Sequence, residues 1–394
     1  MRTVTAGLAD ELARWATALD PSEDDLALAR RSLLDTAAVM FAARENELAP
    51  LFGQLGEAGR WAALAHVLDY DDLHLPSTTH VSAVCVPVAL SSGADGTRAE
   101  RAYLAGAGVM ARLGIALGWR HYSAGWHATC TAGAPAAAVT AAVAAGLDAD
   151  AVSTAIALAI PAAGGVQRAF GTAAKALGVG FAADAGVRAA QLAEAGASAD
   201  PLALEQWFAL VGGDPDAVDL DGPGVPGGLA IKPFPCCYAL QRPIAAMAGL
   251  DAPPAADRVR RVAVRTPAAT LAPLIHHSPK TGLEGKFSLE YGIAAALLDG
   301  TPGFDSFSDA AVVRPEAVRL GRMVEVTATE GGDHLLTGEV EIEIDDARAT
   351  LALPPGAPGR EMTDDELRAK LELCGAGELA DLSWESAASF LRSV

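Results

Sequence analysis

The sequence predicts a mainly α-helical protein, built from a large all-helical domain and a smaller inserted α+β domain that acts as a lid. Two observations predict this fold class. Up to about residue 250, apolar residues recur at the three- and four-residue steps of buried helices. Beyond residue 257, short β-branched runs alternate with polar residues, which is typical of strands with one solvated face. We therefore place the helical domain at residues 1–255 and 358–394, and the lid at residues 256–357.

The helical region opens with a helix-start signal at residues 20–23. Asp20 can cap a helix, Pro21 fits its first position, and Glu23 can return a hydrogen bond to the cap. A helix is expected to follow from Leu26 to Met40, because apolar residues recur there at helical spacing. Further helices are predicted at residues 99–118, 129–147, 149–162, 172–196 and 201–211.

The lid region combines strands with one helix. The helix is predicted from Leu289 to Leu298, where Asp299 and Gly300 end it. A loop rich in proline and glycine at residues 354–359 closes the lid, and Thr363 with Glu366 has the spacing of a capping box, which predicts a return to helix. Strands are predicted at residues 262–264, 324–327 and 340–344.

Composition excludes several function classes. The chain has 394 residues, and its 29 basic and 49 acidic side chains give a formal net charge of −20. This balance argues against binding to nucleic acid or to an anionic membrane surface, because no basic face is available. The apolar stretch at residues 129–163 is interrupted by Asp148 and Asp150, so we expect no membrane span. Five cysteines without a CxxC pair indicate a reducing compartment, and we expect a cytoplasmic protein.

Polar residues stand out in five segments of this apolar chain. A structural explanation is open for each: a solvated helix end, an aromatic cap, a surface lysine or a stiff loop. A metal ion is a further possibility for the first segment, which holds three acids and three histidines. Together, however, carboxylates, imidazoles, ammonium groups and a phenol form a set that can hold a small carboxylate and move a proton on the neighbouring carbon. The segments are residues 66–80, 121–129, 167–175, 231–238 and 280–291.

Individual residues within these segments suggest roles. His127 precedes a long apolar helical segment, and a helix N-terminus disfavours the charged imidazole, so this side chain can accept a proton near pH 7. Thr172 and Lys175 have the spacing of residues on one helical face. Cys237 is a possible nucleophile, although no flanking histidine marks it.

The same five segments resemble the MmgE/PrpD family, which includes 2-methylcitrate dehydratase, cis-aconitate decarboxylase and iminodisuccinate epimerase. The resemblance implies a helical domain with an α+β lid, a homodimer, and a site between the domains that uses neither a metal nor a cofactor. It extends over nearly the whole chain, through residues 31–36, 66–80, 125–129, 170–175, 232–237 and 282–288.

By position, the resemblance also implies the site residues. His127 would be the main proton-transfer group, assisted or oriented by Asp69 and His80, while Tyr291 would donate from the lid. Lysines would bind the carboxylates of the substrate. The residues expected to bind substrate are Lys175, Lys232, Thr172, Lys286 and Cys237.

Two departures from the family pattern bear on the reaction. Leu73 stands where the family commonly has threonine, and Cys237 stands where the decarboxylase branch has histidine, which counts against decarboxylation. We expect a lyase, namely a dehydratase resembling 2-methylcitrate dehydratase, that abstracts a proton next to a carboxylate of a small di- or tricarboxylate. An epimerase or a specialised biosynthetic isomerase is the close alternative. From other classes, an inactive binding protein remains open, as does a metal-dependent hydrolase using Asp69, Asp71, Asp72, His74 and His80.

Overall fold

The protein is described by a computed structural model that covers residues 7–251 and 254–393. The outer ends of the predicted helical domain, residues 1 and 394, lie outside the described residues. The helices are α1 (Leu8–Ala18), α2 (Glu23–Ala43), α3 (Ala49–Phe52), α4 (Glu57–Val67), α5 (Val81–Ser91), α6 (Gly96–Ser123), α7 (Ala128–Ala145), α8 (Ala149–Ala159), α9 (Ala173–Glu194), α10 (Ala203–Val211), α11 (Tyr238–Met247), α12 (Ala268–Leu271), α13 (Gly282–Gly285), α14 (Leu289–Asp299), α15 (Asp309–Val312), α16 (Pro315–Gly321), α17 (Asp364–Leu373) and α18 (Trp384–Ser393). The strands are β1 (Val262–Pro267), β2 (Val324–Thr329), β3 (Val340–Ile344) and β4 (Ala347–Leu351).

Helix α7 is the centre of the helical part. It packs against α5, α6, α8 and α9, and its residues 128–140 are all buried. Small residues make this possible, because alanine and glycine let helix backbones approach closely. At Gly186 of α9, an added Cβ atom would lie 2.3 Å from the Cβ atom of Ala137 and 2.5 Å from the backbone nitrogen of Ala138. The α7–α9 contact therefore depends on the absence of a side chain at Gly186.

The predicted helices are observed, with one correction at a helix start. Helix α2 begins at Glu23 and is capped by Ser22, not by Asp20. The Ser22 hydroxyl accepts a hydrogen bond from the Asp25 backbone N–H, and the Asp25 carboxylate accepts one from the Ser22 N–H. This reciprocal pair satisfies two backbone donors, so it places the start of the helix beyond Asp20 and Pro21. The predicted capping box before α17 is confirmed.

The lid region contains one mixed sheet of four strands in the order β2-β1-β3-β4. Strand β1 pairs parallel with β2 and antiparallel with β3, and β3 pairs antiparallel with β4. In β3 the side chains of Val340, Ile342 and Ile344 are buried, whereas the alternate glutamates are half-buried. The fold class is confirmed: a mainly α-helical chain with a smaller α+β part. Strand β4 was not predicted, because its residues give a weaker alternation.

Among residues 7–251 and 254–393, the buried apolar side chains form two large clusters and a small third one. The first draws on residues 8–231 and 362–391, and the second on residues 236–349 together with Phe170. The third cluster takes residues from both parts of the chain. Its buried members are Leu73, Tyr122, Ala128, Ala230, Tyr238 and Leu335. The domain boundaries drawn from the sequence stay a prediction.

Among the described residues, two helices are long and apolar enough to cross a membrane, namely α6 and α7. The apolar stretch that meets the criterion is 83% buried in α6 and 89% buried in α7. Both helices therefore serve as core helices in this fold.

The close α7–α9 contact leads to a prediction about the free energy of unfolding. We expect Gly186→Ala to lower the free energy of unfolding by about 3 kcal/mol, because the new methyl group meets the α7 backbone and neither helix can yield. Chemical denaturation measures the change. The control is Gly303→Ala, where an added Cβ atom has no neighbour within 4 Å. Equal stability of the two variants would contradict the packing argument.

Candidate active site

The N-termini of several helices lie at one cavity, among them those of α5, α7 and α9. Helix α5 begins directly after His80, α7 begins directly after His127, and α9 carries Lys175 in its first turn. The side chains of His80, His127 and Lys175 line the same cavity. The positive ends of helix dipoles favour an anion and disfavour a protonated imidazole. The helix dipoles therefore favour a negatively charged ligand in this cavity.

Buried polar contacts fix the start of α5. The His80 backbone N–H donates to the Thr129 hydroxyl of α7 at 3.1 Å, so the two helix starts are tied together. The Asp72 carboxylate accepts hydrogen bonds from the backbone N–H and the hydroxyl of Ser82. Burial raises the pKa of Asp72 to about 7, with the nearby Asp35 carboxyl adding to the shift. The two neighbouring acids therefore have different partners. Asp72 binds Ser82 at the start of α5, whereas Asp71 faces the histidines.

Asp69 and Lys232 form a buried ion pair. The backbone of Asp69 has a φ of 53°, a left-handed conformation that is unfavourable for a residue with a side chain. The Lys232 ammonium donates to both the carbonyl oxygen (2.9 Å) and the carboxylate (2.6 Å) of Asp69, which holds it in this conformation. Burial alone would raise the pKa of Asp69, but the ammonium groups of Lys175 and Lys232 keep it well below its ordinary value.

Asp71 orients two imidazoles. One of its carboxylate oxygens lies 2.6 Å from Nδ1 of His66 and 3.0 Å from Nδ1 of His80. A carboxylate at Nδ1 favours the tautomer with the proton there, which leaves Nε2 as an acceptor. Nε2 of His66 then accepts from the Lys175 ammonium at 2.6 Å. Burial, aided by Lys232, lowers the pKa of His80 to about 4 despite the neighbouring Asp71, so His80 is neutral near pH 7.

His127 presents an unused ring nitrogen. Its side chain is buried, its Nδ1 lies 3.1 Å from the Cys130 sulfur, and its Nε2 has no hydrogen-bond partner within the described part of the chain. Burial and the nearby Lys175 ammonium hold the pKa of His127 well below its ordinary value. When Nδ1 donates to the sulfur, Nε2 carries a free lone pair. A neutral, unpartnered imidazole next to an ammonium group is suited to accept a proton from a bound acid.

Five of the nine sequence-predicted site residues line the cavity. These are Asp69, His80, His127, Lys175 and Cys237. Burial raises the pKa of Cys237 to about 12, so its thiol is protonated and is not a ready nucleophile. The remaining lining residues are Leu73, Thr78, Tyr122, Phe170, Tyr238, Phe287 and Leu335.

Lys232 and Tyr291 do not line the cavity. Lys232 is fully buried and its ammonium binds the Asp69 carboxylate, so Lys232 does not contact the cavity directly. Tyr291 donates its hydroxyl hydrogen to the carbonyl oxygen of Ser306, and its ring packs against Phe307. The structure thus brings neither the predicted lysine ligand nor the predicted lid phenol into direct contact with the cavity.

Thr172 and Lys286 line a neighbouring recess, together with Asp69 and Lys175. Thr172 is the exposed N-cap of α9 and Lys175 is buried, and both residues line this recess, in agreement with the shared face that their spacing predicted. The Thr172 hydroxyl accepts from the Ala174 backbone N–H.

Lys286 connects the lid to the helical part. Its ammonium donates to the carbonyl oxygens of Leu68 (2.5 Å) and Pro235 (2.8 Å). Burial lowers the pKa of Lys286 to about 8. Two backbone carbonyls already bind this ammonium group. Lys286 therefore stabilises the loop before Asp69.

Several site residues were missed from the sequence. His66 was within a recognised segment, and its position beside acids and other imidazoles was the available signal. Asp71 was named only as a possible metal ligand. Tyr122 and Tyr238 also lie in recognised segments, adjacent to aromatic or cysteine residues. Leu335 had no local signal, because it reaches the cavity from the loop between β2 and β3.

A potential metal-ligating group is also present. Ligand atoms of His66, Asp71 and His80 lie within 4.8 Å of one another. The Lys175 ammonium lies 2.6 Å from His66, and the Lys232 ammonium lies 4.0 Å from Asp71, so two positive charges oppose a cation there. The donor set therefore fits a metal ion poorly.

Only two of the five ligands proposed for a metal-dependent hydrolase take part in this group, Asp71 and His80. His74 uses both ring nitrogens elsewhere, on the Ser77 hydroxyl and on the carbonyl oxygen of Pro226. The other two, Asp72 and Asp69, are held by Ser82 and by the lysines described above.

Two family models match the chain. The family model of the MmgE/PrpD N-terminal domain matches residues 58–211, and that of the MmgE/PrpD C-terminal domain matches residues 234–387. The chain belongs to the MmgE/PrpD family. The resemblance drawn from the sequence is thereby confirmed, and membership supports an enzyme of the dehydratase or isomerase type. No curated protein matches the chain. Lys232 lies in the short segment between the two MmgE/PrpD matches.

The buried pair makes a second stability prediction. We expect Asp69→Asn and Lys232→Met each to lower the free energy of unfolding by about 3–5 kcal/mol, because each leaves a buried charge without its partner. The double variant should lose less than the sum of the two, since neither charge remains. Denaturant titration of the four proteins measures the coupling. The control is Arg368→Ala, which breaks an exposed pair with Asp365 and should cost less than about 1 kcal/mol. Strict additivity of the two buried substitutions would contradict the pairing.

Proposed function

We propose that the protein is a cofactor-independent lyase that removes a proton from the carbon next to a carboxylate of a small di- or tricarboxylate. We further propose that the reaction is a dehydration, of the kind that 2-methylcitrate dehydratase performs. The observation that carries the proposal is the shared cavity of His127 and Lys175: a buried, neutral imidazole with an unused nitrogen faces the same space as a buried ammonium group. Family membership supports the reaction type.

The proposed step assigns one task to each group. The substrate carboxylate accepts a hydrogen bond from the Lys175 ammonium, and Nε2 of His127 takes the proton from the adjacent carbon. The electron pair of the broken C–H bond moves towards the carboxylate, where Lys175 and the N-terminus of α7 stabilise the added negative charge. The hydroxyl group on the next carbon then leaves with the proton held by His127, so that an alkene and water are the products.

Epimerisation is the close alternative, because it uses the same first step and differs only in the return of the proton to the other face. Cys237 stands at the place where the decarboxylase branch has histidine, and burial raises the pKa of its thiol to about 12, so it is a weak general acid for decarboxylation. An inactive binding protein would bind the acid without exchanging its proton. We also propose that the enzyme works in the cytoplasm as a homodimer, on the strength of its composition and its family resemblance.

The proton-transfer role of His127 is tested in ²H₂O. We incubate the protein with citrate, 2-methylcitrate and malate, and follow deuterium at the carbon next to the carboxylate together with alkene formation. We expect alkene to form, and His127→Ala to lower the rate by about 10²–10⁴-fold while the fold is retained. The control is His277→Ala, whose side chain is 78% exposed and away from the cavity. Exchange without alkene would favour an epimerase, and full activity of His127→Ala would contradict the assignment.

The metal-dependent alternative has its own test. We expect chelator treatment to leave turnover unchanged and added Zn²⁺ not to bind stoichiometrically, because two ammonium groups lie beside His66 and Asp71. Metal analysis of the purified protein and its activity before and after dialysis measure this. A stoichiometric ion lost together with activity would support the hydrolase and contradict the cofactor-free proposal.

A further inference from the structure

Cys130 lies beside the proposed base. The residue is in the first turn of α7, three positions after His127, and it is 2% exposed. Its sulfur lies 3.1 Å from Nδ1 of His127. The backbone of His127 is itself fixed, because its N–H donates to the carbonyl oxygen of Gly165 and its carbonyl oxygen accepts from the Thr131 hydroxyl. The start of α7 therefore holds the sulfur against the imidazole ring.

The surroundings of Cys130 leave its side chain little room to move. An added Cβ atom at Gly178 of α9 would lie 3.1 Å from the Cys130 sulfur, and one at Gly165 would lie 2.7 Å from the Cys130 Cβ atom. Two glycine backbones thus pack directly against this cysteine. The contact between the sulfur and Nδ1 of His127 is therefore a fixed feature of the packed helix start.

Ring packing fixes the plane of the His127 imidazole but not the place of its proton. The ring stacks on that of His66, with centroids 5.6 Å apart, and lies nearly perpendicular to that of Phe170, with centroids 5.1 Å apart. Both contacts would persist if the ring turned by 180° or if the proton moved to the other nitrogen. A hydrogen bond at Nδ1 distinguishes these states, and Cys130 supplies the partner for it.

Two proton arrangements fit the distance between the sulfur and Nδ1. If the thiol donated, the ring proton would lie on Nε2, as a buried N–H group without an acceptor among the residues that the structure describes. Such a donor costs free energy, and the Lys175 ammonium at the same cavity favours a lone pair over an N–H group. If Nδ1 donates, the sulfur accepts, the S–H bond turns away, and Nε2 keeps its lone pair. The second arrangement is therefore favoured.

The partner of His127 differs from that of the neighbouring imidazoles. Nδ1 of His66 and Nδ1 of His80 both face the Asp71 carboxylate. A carboxylate fixes the tautomer, but it also stabilises the protonated ring. Burial raises the pKa of Cys130 to about 12, so its thiol is uncharged. Cys130 can therefore fix the tautomer of His127 without adding a negative charge.

We propose that Cys130 is a positioning residue, whose sulfur accepts a hydrogen bond from Nδ1 of His127 and thereby keeps the lone pair of Nε2 available to the cavity. Two independent observations support it, namely the fixed sulfur contact and the buried Nε2 that has no partner in the described chain, on a residue that lines the cavity. The inference rests on the proposed function, because the tautomer matters for catalysis only if Nε2 takes the substrate proton. Without an acceptor at Nδ1, the proton moves to Nε2, where water or a bound carboxylate can accept its hydrogen bond.

The tautomer of His127 can be measured without any substrate. We label the histidine rings with ¹⁵N, identify the His127 signals by their absence from His127→Gln, and determine from the NMR spectrum which nitrogen is protonated. We expect the unchanged protein to carry the proton on Nδ1. Cys130→Ser retains an acceptor and should keep the proton there, whereas Cys130→Ala should move it to Nε2. Cys85→Ala is the control, because it removes a buried thiol of α5 that does not line the cavity.

Turnover of the acid that forms alkene gives a second readout. We expect Cys130→Ala to lower kcat about tenfold and to leave KM within about twofold, because Lys175 still binds the carboxylate, and Cys130→Ser to retain most of kcat. A protonated Nε2 in the unchanged protein, an unchanged tautomer in Cys130→Ala, or an equal loss of kcat in Cys85→Ala would overturn the inference. The expected tautomers without proton exchange on any tested acid would contradict the proposed function and leave the hydrogen bond of Cys130 standing.

Discussion

The cavity depends on the buried ion pair between Asp69 and Lys232. A left-handed residue with a side chain is held in place because one ammonium group binds both its carbonyl oxygen and its carboxylate. The lysine comes from the segment that joins the two family domains, so the same contact fixes the loop at Asp69 to that segment. Without water to screen it, the pair is stable only when both partners are present. The positions of Asp71, His66 and His80 follow from the loop that this pair holds.

Three lysines lie in or near the cavity, but their surroundings differ. Lys232 is neutralised by Asp69, and Lys286 is held by two backbone carbonyls. Only Lys175 lies on the cavity wall, above the rings of Phe170 and Phe287. From the sequence alone, the three lysines are equally good candidates to bind an anion. In the structure Lys175 lines the cavity, whereas Lys232 and Lys286 bind the loop at residues 68–69.

Local patterns predicted much of the fold and part of the site. The spacing of Thr363 and Glu366 marked a helix start, and alternation in residues 340–344 marked a strand, because both signals arise from neighbours in the chain. Likewise, His127 before an apolar helix predicted a neutral imidazole. Leu335 gave no such signal, since its place on the wall results from a contact between the lid loop and Leu75.

Burial acts on both the imidazole and the lysine that line this cavity. Removal of water lowers the pKa of an imidazole and would also neutralise a lysine, so a buried site that needs both a free base and a cation must treat them differently. Here His127 receives no carboxylate and stays neutral, while Lys175 is supported by Asp69 at 3.5 Å and by His66 at 2.6 Å. Lys175 and Lys232 hold the pKa of Asp69 far below its ordinary value, so this carboxylate stays charged and pairs with both ammonium groups.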